Sequence, residues 1–130
     1  MAEGFARAYG SDVLSAGSAG LAPATAIPPL TYKVMQDKNI PLAGQFPKGL
    51  DTWAGSSFDL IANLSGRKLP SAIAAPVEDW DVRDPIGAEE EVYREVRDRI
   101  EGLVMRLVLA ARTERERAAA PRRRRKFLRN

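Results

Sequence analysis

Phe58-Asp59-Leu60-Ile61-Ala62-Asn63-Leu64 is the stretch that decides the fold. Its apolar residues run nearly without interruption, instead of alternating with polar ones as they do in a sheet with one wet face. Such a run reads as a short strand covered on both faces, the habit of a parallel sheet. The loop that follows, residues 65–75, carries Gly66 and Pro70. Pro76-Val77-Glu78-Asp79-Trp80-Asp81-Val82 then reads as a second short strand, and Asp84-Pro85-Ile86-Gly87 as the turn beyond it.

The longest element comes next, a helix expected over residues 88–112. Val92, Val96, Ile100, Leu103 and Leu107 are spaced to form one buried stripe. Glu89, Glu90 and Glu91 suit the positive end of the helix dipole. Pro121 stops any continuation.

Upstream of the deciding stretch, Ala2, Phe5, Ala6 and Tyr9 share helical spacing and predict a helix over 2–9 that Gly10 ends. Residues 12–16 read as a short strand and 17–20 as a turn. Three prolines and several small residues make 21–29 a loop. Pro28 and Pro29 suit a helix entry, where the first turn needs no backbone donor. Leu30, Val34 and Met35 carry that helix to about residue 39. Residues 40–47 read as irregular and 48–55 as a short helical turn. Strands separated by helices point to an α/β fold with a parallel sheet. Three strands are found and the order opens on a helix, so a strand is expected to be missing at the front.

Cys and His are absent from the 130 residues. That excludes disulfides, metal sites built on Cys or His, thiol nucleophiles and every His-based triad. Arg106 interrupts the longest apolar run, short of the ~20 residues a membrane helix needs. No basic start followed by an apolar block marks a secretory signal, and a cytoplasmic protein is expected. The net charge of +3 hides two regions: residues 111–130 hold nine basic residues against Glu114 and Glu116, while residues 1–110 hold 11 basic and 15 acidic ones. The chain therefore divides into a domain over 1–112 and a basic, disordered tail over 113–130.

Several segments, taken in order, resemble the low-molecular-weight protein-tyrosine phosphatase family, which includes related arsenate reductases. Met1-Ala2-Glu3-Gly4-Phe5-Ala6-Arg7 resembles the helix after that family's phosphate loop, and Ser15-Ala16-Gly17-Ser18 its next strand end. Residues 29–40 with Gln45-Phe46-Pro47-Lys48-Gly49-Leu50 are similar to its second helix and following loop. Residues 58–64 match its next strand, and residues 80–87 with Val96-Arg97-Asp98 its Asp-Pro loop and last helix. The resemblance covers about residues 1–110. It implies a three-layer α/β fold whose parallel sheet lacks its first, central strand.

The family's reaction uses a Cys-x5-Arg loop ahead of the first helix. Backbone N–H groups there cradle an oxyanion, the Cys attacks as thiolate, the Arg holds two oxygens, and an Asp protonates the leaving oxygen. Here the match starts at Met1, so loop, nucleophile and first strand are missing. The chain is expected to be an N-terminally incomplete, inactive part of a longer parent that acts on a phosphate ester or arsenate, with no cofactor.

Two residues carry over: Asp84, before Pro85, as the general acid, and Ser15 as the serine that steadies the phosphate loop. Asp-Pro also simply opens turns, and a Ser also simply ends strands. The reductases' relay cysteines, found after the strand matched by 58–64, are replaced by Asn63-Leu64-Ser65-Gly66-Arg67. Ile86 stands where the phosphatases often have Tyr. A non-catalytic binding module or pseudoenzyme is the competing reading. In it Arg122 to Lys126 meet nucleic acid or an acidic partner, though with Phe127 as the only nearby aromatic base stacking is poorly supported. Open strand edges also make self-association an expectation.

Overall fold

The computed structural model describes residues 1–71 and 73–120. In chain order the elements are α1 (Ala2–Gly10), α2 (Pro29–Gln36), a 3-10 turn (Leu50–Trp53), β1 (Ile61–Asn63), β2 (Val77–Asp79) and α3 (Glu90–Ala119). β1 and β2 pair in parallel, Ile61 opposite Val77 and Asn63 opposite Asp79. The Ile61 N–H donates to the Pro76 carbonyl at 2.9 Å and the Trp80 N–H to the Asn63 carbonyl at 2.8 Å. The deciding stretch is thus a parallel strand, trimmed to three residues, Ile61–Asn63.

The strand expected at 12–16 does not form. The Gly10 carbonyl accepts from the Val13 and Leu14 N–H groups at 3.0 and 2.7 Å, so α1 runs straight into a turn. No strand lies beside residues 12–16 among the described residues, and a strand without a ladder partner has nothing to hold it extended. This segment's sheet-like contact comes later, as a single parallel bridge between Gly20 and Gly49. Among the described residues the sheet therefore has two strands, not three.

α2 starts on the expected proline, with Pro29 in its first turn. Its end is a Schellman motif: Asn39 takes a φ of 58°, its N–H donates to the Gln36 carbonyl at 2.8 Å, and the Ile40 N–H donates to the Met35 carbonyl at 3.1 Å. Asn tolerates the left-handed conformation that the motif needs. Ile40 and Met35, the apolar pair that accompanies it, are both buried.

α3 outruns its expected end by seven residues, reaching Ala119, roughly 45 Å at 1.5 Å per residue. Ala120 leaves the helix with ψ 132°, the extended conformation preferred before a proline. Residues 113–119, which the charge pattern places in the tail, are thus helical; residues 121–130, with the Arg run, lie outside the described residues. The core sits where α3 meets α1 and α2. Val96, Ile100 and Leu103 of the expected stripe are buried and Val104 and Val108 join them, while Val92 and Leu107 pack at its margin. Phe5, Val34 and Met35 complete the interior. Two glycines set how closely the layers approach. A Cβ on Gly10 would lie 2.7 Å from a methyl of Val108, and one on Gly4 3.0 Å from Leu42.

Buried Arg97 couples α3 to α2, its Nη1 donating to the Val34 carbonyl at 3.0 Å. A cation near the last turn of α2 also meets the negative end of that helix.

Candidate functional site

The first turn of α1 faces an open groove of about 440 Å³. Met1 precedes the helix and supplies no side-chain cap, so the Ala2, Glu3 and Gly4 N–H groups have no partner within the helix. The rest of the groove comes from the end of β1 (Leu64, Ser65), the segment after β2 (Val82 to Ile86) and α3 (Tyr93, Val96, Ile100). Burial pushes the Met1 amine below its ordinary value, against the opposing pull of Glu3.

Asp84 stands on this groove. It is exposed, and its Oδ1 accepts the Ile86 N–H at 3.0 Å, the local bond that Asp makes ahead of a turn. The Ala88 N–H closes that turn on the Pro85 carbonyl at 2.9 Å, with Gly87 at φ 80°, a conformation glycine takes without strain. One carboxylate oxygen is thereby held, and the other has no hydrogen-bond partner among the described residues. Ile86, 66% exposed, presents an apolar side chain on the same groove.

Ser15 is placed elsewhere. It is exposed and is not among the groove residues, so the fold does not bring it together with Asp84. From the loop after α1 it is Ser18, three residues on, whose hydroxyl reaches the groove, and it donates to Glu3. Glu3 is 5% exposed and also meets Arg7 at 2.8 Å and Lys48 at 3.7 Å. This cluster ties α1 to both loops beside the groove. A buried carboxylate is costly unless paired in this way. In the sequence Glu3 looks like an ordinary first-turn acid; nothing local signals its burial.

Asn63 is equally hidden, inside an apolar run. It is 7% exposed, and its amide donates to the Arg67 carbonyl at 2.7 Å and to Asp79 Oδ1 at 2.9 Å. Its Oδ1 accepts the Ser65 N–H at 3.1 Å and the Ser65 hydroxyl at 2.6 Å. All four hydrogen-bonding positions of the amide are filled, and the groove wall at Leu64 and Ser65 is held in place.

Among the described residues no group of three or more His, Cys, Asp or Glu side chains is arranged to hold a metal. No helix among them is long and apolar enough to cross a membrane.

The chain is similar to known proteins in sequence and in fold. A glutaredoxin arsenate reductase of Synechocystis sp. is 29% identical over 115 residues, covering 82% of this chain and 87% of that protein. The solved structure of an arsenate reductase in the phosphate binding state superposes with a TM-score of 0.76 at 28% identity, covering 85% of this chain and 86% of the other. The arsenate reductase of Archaeoglobus fulgidus gives 0.72 at 27% identity, covering 82% and 86%. The family model for low molecular weight phosphotyrosine protein phosphatase matches residues 1–119, and the chain belongs to that family.

Proposed function

We propose that this chain carries the acid side of an oxyanion site that works on arsenate, in the manner of its arsenate reductase relatives, and that it does not turn over alone. The observation that carries the reading is Asp84, aimed by the Ile86 N–H onto the groove that also meets the first turn of α1. Free N–H groups and the positive end of a helix dipole attract a tetrahedral oxyanion. A carboxylic acid beside that oxyanion gives its proton to the oxygen that leaves as the arsenic–oxygen or phosphorus–oxygen bond breaks.

The attacking group in this family's chemistry is a thiolate, and the sequence has no cysteine. The missing relay cysteines favour an external thiol as reductant over an internal disulfide. Ile86 in place of Tyr supports arsenate over phosphotyrosine, because it offers no ring to stack on an aryl ester.

The test is to assay the purified chain with an aryl phosphate, and with arsenate plus glutathione and glutaredoxin. Neither reaction is expected to rise above background. Turnover at the level of a complete family member, abolished by Asp84→Asn, would overturn the inactivity. Joined behind a strand that carries a Cys-x5-Arg loop, the chain should gain activity, and Asp84→Asn should then lower kcat by roughly 10²–10⁴-fold. Faster hydrolysis of aryl phosphate than reduction of arsenate would move the assignment to a phosphatase.

A further inference from the structure

Arg117, the run Arg122 to Lys126 and Arg129 place seven positive charges in residues 117–130, with no Asp or Glu among them. Residues 1–110 carry 11 basic and 15 acidic residues, so the two parts of the chain differ in sign. Asp12, which lies against the far end of α3, is already gripped by Arg112 and Arg115.

α3 fixes where this charge begins. Tyr93, Val96 and Ile100 are its residues on the groove, and Ala119 lies about 28 Å beyond Ile100 along the axis, at 1.5 Å per residue. α1 runs the same way: its first turn meets the groove, and its last turn is held by Arg112 at the Tyr9 carbonyl. The basic segment therefore starts at the end of the fold remote from the groove. Residues 113–119 are helical and exposed throughout. Residues 121–130 lie outside the described residues, and their charge is a property of the sequence.

The composition of the segment narrows its partner. Six of the seven basic residues are Arg, whose planar fork matches the oxygens of a phosphate. Phe127 and Leu128 are the only large apolar side chains in it, too few to supply the second signal that stable membrane attachment takes. A single aromatic gives the bases of a single strand little to stack on. A duplex presents one negative charge per ~1.7 Å of axis, and the acidic excess of residues 1–110 repels it from the rest of the chain.

We propose that residues 117–130 form an arm that binds the phosphate backbone of double-stranded nucleic acid, without sequence preference, from the end of the fold opposite the groove. Counterions released from the duplex supply the affinity, which makes it steeply dependent on salt.

The experiment is a fluorescence-anisotropy titration of the full chain onto a labelled DNA duplex of about 20 base pairs, across a range of salt. At about 0.15 M salt the Kd should stay within roughly 10⁻⁴–10⁻⁶ M. The slope of log K against log salt should be about −4.5 to −6.3, as five to seven phosphate contacts give. In NMR spectra the duplex should shift the amides of Arg117 to Ala119 and leave those of Ala2, Glu3, Gly4 and Asp84 in place. Arg122→Gln, Arg123→Gln, Arg124→Gln, Arg125→Gln and Lys126→Gln combined should reduce the slope to about −2 and weaken binding at least ~100-fold at about 0.05 M salt. Loss of binding by about 0.15 M salt, unchanged affinity in the five-fold variant, or shifts at Ala2 to Gly4 and Asp84 instead would overturn the proposal. Tighter binding to vesicles of phosphatidylglycerol and phosphatidylcholine than to the duplex would overturn it in favour of a membrane surface. Tighter binding to polyglutamate would overturn it in favour of an acidic protein. The salt slope and the shift map are read on the parent chain, so neither depends on how a variant folds.

Discussion

Arg112 grips Asp12 with two parallel bonds, Nε to Oδ2 and Nη2 to Oδ1, both at 3.1 Å. The same Nη2 donates to the Tyr9 carbonyl at 2.7 Å, and Arg115 Nη1 donates to the Asp12 carbonyl at 3.0 Å. Two residues one turn apart on α3 thus hold the end of α1 in its turn. The hydrogen bonds from Arg112 keep the Asp12 carboxyl below its ordinary value.

That shift has a signed consequence. A carboxyl whose folded value is depressed stabilises the fold above its unfolded value, about 3.9, and the contribution is lost as pH falls through the folded value. The thermal midpoint of Asp12→Asn should therefore lie below that of the parent at neutral pH, with the gap flat above about pH 5 and closing as pH falls below about 4. A gap independent of pH would show that the bidentate pair is not what the charge does there.

The strand expected at residues 12–16 is absent for reasons that lie partly next to it, at Gly10, and partly a hundred residues away, on α3. Its local composition allows a strand, but Arg112, Arg115 and the Gly10 carbonyl take its backbone and side-chain partners. Local signals do locate what local chemistry controls: Pro29 at the start of α2, the parallel strand inside 58–64, and the turn that aims Asp84. Ser15 matches by position in a motif, whereas the serine of that loop that meets the groove is Ser18, which depends on where the loop after α1 lands. Glu3 and Asn63 are illegible in the sequence because burial of a polar side chain is decided by the partners that tertiary packing brings to it.

Two glycine substitutions should separate packing from propensity. Gly10→Ala forces a methyl to within 2.7 Å of Val108, and overpacking of this kind costs about 1–3 kcal/mol. Gly102 lies on the exposed side of α3, and a Cβ added there would meet nothing within 4 Å. Gly102→Ala should therefore gain up to ~1 kcal/mol from helix propensity alone. Urea denaturation of both variants measures the pair. Equal effects would mean that α1 and α3 do not approach as closely as Gly10 and Val108 imply.

Asn63 offers a test of the groove wall. Asn63→Ala removes the bonds its amide makes to the Arg67 carbonyl and to Ser65, at a cost of about 0.5–1.5 kcal/mol for each bond lost. Asn63→Asp should be worse at neutral pH, since it sets a carboxylate where the amide now donates to Asp79 at 2.9 Å. Two adjoining carboxyls raise one another's value, so the added penalty should appear as pH rises and be relieved toward about pH 4. Denaturation midpoints across that range check it, and a penalty larger at low pH would contradict the arrangement.

The last prediction concerns which part opens first. The fully buried side chains, Phe5, Val34, Met35, Val104 and Val108, all lie on the three helices. From the sheet and its flank only Asn63 and Trp80 are buried, and β2 is exposed throughout. Two three-residue strands open on both edges have few neighbours to hold them, and segments with little buried apolar surface open locally at free energies below the global value. Exchange at the Asn63, Glu78 and Trp80 amides should therefore proceed by local opening, at rates nearly insensitive to dilute urea. Exchange at Val104 and Val108 should follow the global transition, accelerating with urea from the first additions. If the Asn63 amide tracked Val104 across the series, sheet and helices would form one cooperative unit.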